Sequence, residues 1–334
     1  MSSEDDKRQL FIWAHKCLEL KAELRVGTGD LTPTNYYEEK ERFFSSENYN
    51  PIFEYNKRDI SHIFHRIKEL ELELKNLSLP EELRIYFYGY LSNLVDIAQV
   101  VESIGTNKFP YFAQRLFRNT LSDLSVPLNY LSVIEPSNVP EKDLLNAQDI
   151  AEEFRKVFDR YNLQDVTITI DTFNDHIIRV DSKNLIIGSR IKRKPQNVQR
   201  LIVHEVETHI LQSYNLAEAQ NPLLKLTCLS DSLLFGEGIA VYNEHITGTI
   251  TPDAFDTYYY RLKAVQILGL SFREIFHYLH QYISPEKAYA ITARVKRGMH
   301  NTTDPGGYPK DASYLLGFHK IQEYIKNGSN LEFL

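Results

Sequence analysis

Leu201-Ile-Val-His204-Glu205-Val-Glu-Thr-His209-Ile-Leu211 is the stretch on which the reading of this chain turns. It is an apolar helical segment carrying His-Glu-x-x-x-His. The common zinc-binding motif places its two histidines at i and i+4, about 40° apart around a helix of 3.6 residues per turn. Here the spacing is i and i+5, about 140° apart on a regular α-helix, which splays the two rings. A single π-bulge returns them to one side, so a metal reading predicts a helix irregularity near Val206–Thr208. A regular helix would instead leave Glu205 and His209 as an ordinary i, i+4 surface pair. The segment by itself leaves both readings open.

A catalytic zinc takes three protein ligands and keeps one open position. Downstream, Ser232-Leu-Leu-Phe-Gly-Glu237-Gly238-Ile239-Ala240-Val-Tyr-Asn-Glu244-His245 is a second helical stretch that could return a carboxylate to the histidines. Gly236 and Gly238 flank Glu237, which fits a close helix-to-helix approach better than helix propensity. Glu244 and His245 are competing donors. Glu237 is preferred because His204, His209 and Glu237 make a two-His, one-Glu set, although a carboxylate bracing a helix start reads equally well.

Composition narrows the chemistry. The chain has 334 residues, 43% hydrophobic and 25% charged, which is globular rather than disordered material with enough apolar content for a sizeable core. Cys17 and Cys228 are the only cysteines, so neither a disulfide framework nor a thiolate zinc site can be built, and any metal falls to His and carboxylates. A formal net charge of -7 argues against whole-surface binding to nucleic acid or an anionic membrane. Met1-Ser-Ser-Glu-Asp-Asp-Lys7 lacks the layout of a secretion signal, and no apolar run approaches a bilayer span. The cytoplasm is the expected compartment. No phosphate-binding Gly-rich loop and no Gly-x-Ser-x-Gly elbow occurs, which sets aside nucleotide kinases and serine hydrolases.

Periodicity gives the organisation. Ile60, Ile63, Phe64, Ile67 and Leu70 recur at helical spacing, and similar runs follow at Ile85–Val95 and at Ile150, Phe154 and Val157. The texture changes at Val166-Thr-Ile-Thr-Ile170, with further β-rich runs at His176–Val180 and Leu185–Ile187, and with Asn174-Asp175 and Ser182-Lys183-Asn184 as turn signals. Beyond Pro195 the pattern is helical again. The expected class is α+β, mainly helical with a small antiparallel or mixed sheet. A helical N-terminal region over 1–160 and a catalytic region over 161–334 are expected to pack as one unit. The basic run Arg190-Ile-Lys-Arg-Lys194 reads as a solvated loop or as a docking patch for an acidic protein tail.

With these blocks in hand, the chain resembles the microtubule-associated tyrosine carboxypeptidase family and its bacterial QEGLA-motif relatives. His204-Glu205-Val206-Glu207-Thr208-His209 matches the family's His-Glu-Ile-Gly-Thr-His, and Gly236-Glu237-Gly238-Ile239-Ala240 matches its QEGLA motif. Gln220-Asn221-Pro222-Leu223, Arg294-Val295-Lys296-Arg297-Gly298 and Gly306-Gly307-Tyr308-Pro309-Lys310-Asp311 through Gly317 resemble three further blocks in order. The resemblance implies a zincin-like zinc metallopeptidase that removes a C-terminal, tyrosine-like residue from a polypeptide. Zn2+ would be held by His204, His209 and Glu237, with Glu205 as general base. Glu207 departs from the motif Gly, adding a carboxylate and removing a flexible residue where the helix must distort. Gly236 replaces the motif Gln and Pro309 the Thr.

A carboxypeptidase needs a cation for the terminal carboxylate, and Arg294, Arg297 and Lys310 are candidates, with Tyr314 as a donor to the carbonyl. Each reads equally well as a surface charge or a packed ring. The expected partner is a polypeptide C-terminus, with no nucleic acid and no membrane. Two rivals stand beside the peptidase: a non-enzymatic binding or regulatory protein with a structural zinc, and a zinc hydrolase of non-peptide substrates.

Overall fold

The computed structural model describes residues 4–26, 28–124, 143–172, 178–181 and 184–328. The chain forms two compact units, each assembled from separated stretches. One comprises Met1–Pro127, Gln220–Leu233 and Tyr259–Ser313; the other comprises Leu128–Ala219, Leu234–Tyr258 and Tyr314–Leu334.

The first unit is built from helices. Ile63, Ile67, Leu70 and Leu74 form the buried face of the helix Ser61–Asn76, as their three- and four-residue spacing requires. They join Leu10, Trp13, Cys17 and Leu20 of the helix Glu4–Glu23 and Leu91, Leu94 and Ile97 of the helix Glu81–Ser103 in one core. Trp13 enters that core without losing its polar contact, because its Nε1–H donates to the Leu70 carbonyl at 2.9 Å. The run from Ile85 divides: Phe87, Leu91 and Leu94 are buried, while Ile85 and Tyr86 are exposed on the opposite side of the helix.

The second unit carries the sheets. β1 (Leu145–Asn146) pairs antiparallel with β5 (Lys192–Arg193). β2 (Thr167–Asp171), β3 (Ile178–Asp181) and β4 (Asn184–Gly188) form a mixed sheet in the order β2-β4-β3. β2 runs parallel to β4, with Ile168 opposite Leu185, and β3 runs antiparallel to it, with Val180 opposite Leu185. At the centre, β4 has both backbone edges paired and buries Leu185 and Ile187, while Ile168 of β2 and Ile178 and Val180 of β3 pack against the same core. The turn positions Asn174-Asp175 and Ser182-Lys183 lie outside the described residues. Two of the five residues of the basic run, Lys192 and Arg193, are strand rather than loop. Ile191 is buried, and burial followed by the neighbouring Arg200 pulls Arg193 below its ordinary value.

Asn146 and Asp149 close a capping box on the helix Ala147–Arg160. Ile150, Phe154 and Val157 of that helix pack with Leu185 and Ile187 of the sheet. Ile202, Val206 and Ile210 complete this core, and they belong to the segment that carries both histidines. Among the described residues no helix is long and apolar enough to cross a membrane.

Candidate metal centre

Ile202–Ile210 is a π-helix, set between the α-helices Pro195–Leu201 and Leu211–Glu218. The spacing argument required one irregularity; the chain instead sustains i→i+5 geometry across nine residues. Residues five apart then stand one turn apart, and His204 and His209 share a side. Thr208 reinforces the wide turn, donating from Oγ1 to the Val203 carbonyl at 2.9 Å, five residues back. Asn243 Nδ2 in turn donates to Thr208 Oγ1 at 3.0 Å. No glycine is needed. Glu207, in the motif Gly position, sends its carboxylate to Tyr161, whose hydroxyl donates at 3.0 Å, with Arg160 at 3.8 Å.

His204, His209 and Glu237 offer one donor atom each, all within 4.8 Å of one another. Glu237 Oε2 lies 3.4 Å from His204 Nε2 and 3.5 Å from His209 Nε2. The two rings stand at 77° with centroids 5.0 Å apart, so the nitrogens converge without the rings stacking. His204 and Glu237 are buried and His209 is half-buried. Two imidazole nitrogens, borderline donors, and one carboxylate oxygen, a hard donor, are all ligand types that zinc accepts. The donor set therefore fits such an ion. Burial pulls the His204 imidazole down, but hydrogen bonding to Glu237 and Glu244 outweighs it and pushes the group up to about 10.

The competing carboxylate Glu244 lies on the other edge of the same imidazole. His204 Nδ1 is 2.7 Å from Glu244 Oε1, while Nε2 faces Glu237. Glu205 is half-buried, and its charge acts on both His204 and Arg200. Tyr314 lies over His204 at 6.2 Å and 23°, and over Tyr258 at 5.1 Å and 14°.

Glu237 is held in place by a crossing of the helices Leu229–Ile246 and Ser313–Lys326. A Cβ on Gly238 would fall 2.4 Å from the Gly317 carbonyl carbon, and a Cβ on Gly317 would fall 2.0 Å from the Leu234 carbonyl oxygen. Gly236 behaves differently, since a Cβ there meets only Gln212 Oε1 at 3.9 Å. Gly317→Ala is therefore expected to destabilise by about 1–3 kcal/mol through overpacking. Gly236→Ala should stabilise by up to about 1 kcal/mol through helix propensity. Urea unfolding of both variants checks the pair, and equal midpoints would refute the close crossing.

The remaining candidates from the sequence, Arg294, Arg297 and Lys310, belong to the first unit. Arg294 makes a two-pronged contact with Asp311, donating from Nε at 2.7 Å and from Nη2 at 2.9 Å. Arg297 and Arg261 approach the same carboxylate at 3.6 and 3.7 Å. Asp311 is fully buried at the end of the turn Pro309–Ala312, which also carries Lys310. Arg294, Arg261 and Arg297 outweigh burial and hold the Asp311 carboxyl well below the ordinary carboxylate range. The residues that sequence reasoning left without a role are Arg200, Tyr258, Arg261 and Asp311. Asp311 lay inside a matched motif block, which was the available signal.

Fold and site together define a mainly helical α+β protein with a buried imidazole–carboxylate cluster on a π-helix. A family model described as microtubule-associated tyrosine carboxypeptidase matches residues 41–334, and the chain belongs to that family. Membership supports a carboxypeptidase-like peptidase activity directed at a polypeptide C-terminus. No individual curated protein matches the chain.

Proposed function

We propose that the chain is a zinc-dependent carboxypeptidase in which His204, His209 and Glu237 hold the ion and Glu205 is the general base. The convergence of the three donors within 4.8 Å on a π-helix carries this reading. Zinc held there would act as a Lewis acid toward the scissile carbonyl and lower the pKa of water. Glu205 follows a ligand directly in sequence; its carboxylate takes the proton of the attacking water and passes it to the departing amine. Tyr314, whose ring lies over His204, is the proposed hydrogen-bond donor to the carbonyl oxygen. Arg294, Arg297 and Lys310 are the proposed cations for the terminal carboxylate, where an arginine fork suits two oxygens. The tyrosine preference follows the family's description, and the compartment in which it acts is the cytoplasm.

The test is a library of peptides presented to the zinc-loaded protein with free or amidated C-termini. Release of single terminal residues from the free acids, with an aromatic preference and no cleavage of the amides, is the expected result. Internal cleavage, or equal cleavage of the amides, would contradict a carboxypeptidase. No cleavage of any peptide at zinc saturation would favour a binding protein with a structural ion.

A further inference from the structure

Glu244 is a fully buried carboxylate whose chemistry the proposed reaction does not use. One of its oxygens, Oε1, lies within hydrogen-bonding distance of three groups. They are His204 Nδ1 at 2.7 Å, Arg200 Nη1 at 2.8 Å and the Tyr258 hydroxyl at 2.9 Å. Arg200 Nη1 also donates to the Tyr258 hydroxyl at 3.0 Å, closing the network. A buried carboxylate is costly unless it is paired and hydrogen-bonded, and for packing alone an apolar side chain often serves as well. At this position a task beyond packing is evident from the geometry. In the neutral imidazole that a metal requires, donating Nδ1–H to a carboxylate leaves the lone pair on Nε2, the atom that faces Glu237.

We infer that Glu244 is a positioning residue for the metal centre. It fixes the tautomer and direction of His204 and raises the donor strength of Nε2, while Arg200 and Tyr258 compete for the same oxygen and temper that effect. The inference rests on the metal reading proposed above. Carboxylates behind metal-bound imidazoles fix the ring and increase its basicity, and losing one typically weakens metal affinity about 10- to 100-fold. Here the carboxylate has a built-in counterweight. Each donor that shares Oε1 draws charge away from the His204 bond, so removing one strengthens that bond. Tyr258 can lose its hydroxyl and keep the ring that lies parallel to Tyr314.

That gives the two variants opposite signs. Glu244→Gln still offers an oxygen to Nδ1–H but removes the charge, and should weaken zinc binding about 10- to 100-fold. Tyr258→Phe should bind zinc as tightly as the wild type or more tightly, even though the metal-free protein melts at a lower temperature. The experiment is an equilibrium Zn2+ titration of the full chain against a competing chelator, with melting of the chelated proteins in parallel. A role in packing alone predicts that both variants lose affinity in step with their loss of melting temperature, and that outcome overturns the inference. Wild-type affinity in Glu244→Gln overturns it as well. Should Glu244→Gln not fold, weaker binding by Tyr258→Phe is sufficient to reject it. If the wild type and His204→Ala take up zinc equally, the metal reading fails and this inference fails with it; a zinc-binding wild type with an indifferent Glu244→Gln sinks this inference alone.

Discussion

Glu205→Gln is expected to lower peptide turnover by about a hundred- to ten-thousand-fold, the range for removing a general base, while zinc stoichiometry stays at the wild-type value. The split follows from position. Glu205 directly follows His204 yet is not part of the three-donor cluster, so the amide leaves that cluster intact. Its charge does act on His204 and Arg200, so a small change in zinc affinity should accompany the large change in rate. Single-turnover hydrolysis and metal analysis on the same preparation make the comparison. Retained turnover would remove Glu205 from the reaction, and loss of zinc along with turnover would make it a structural residue.

Asp311→Asn is expected to cost about 3 kcal/mol at neutral pH, the lower end for breaking a buried ion pair. The lower end applies because Arg294 keeps 35% of its side chain exposed and is partly screened by solvent. The pH dependence has a definite sign. The folded carboxyl is held below the ordinary range, principally by Arg294 against the opposing effect of burial. Its stabilisation is therefore present above the unfolded value of about 4 and is lost as pH falls toward the folded one. The difference between wild type and Asp311→Asn should be full at pH 7 and shrink in acid below pH 4. Urea midpoints at pH 7 and pH 3 measure it, and a pH-independent difference would assign the effect to shape rather than charge.

The parts of the site legible in the sequence were those in which local spacing conflicts with regular geometry. His204 and His209 are five apart, which a regular α-helix cannot bring together, so the metal reading required a helix irregularity between them. The extent of that helix was not legible, because Thr208 and Asn243 support it through contacts across 5 and 35 residues. Gly238 was readable as a close-approach glycine, whereas Gly236 has the same local context without a close neighbour. Glu244 showed only a carboxylate beside a histidine. Its meaning depends on Arg200 and Tyr258, which lie 44 and 14 residues away. The arginines at 294 and 297 were visible as cations; their shared carboxylate, Asp311, is a tertiary partner that no period or spacing reveals. The sheet followed the same rule. Alternation marked β2 and β-rich composition marked β3 and β4, whereas the short β1–β5 pair and the order β2-β4-β3 are tertiary pairings that no local pattern shows.

Zinc titration of the metal-stripped protein, alongside His204→Ala, His209→Ala and Glu237→Ala, tests the central claim most directly. One zinc bound per chain in the wild type, with binding lost or strongly weakened in each variant while all four proteins remain folded, is the predicted result. Undiminished zinc binding in the three variants would contradict it.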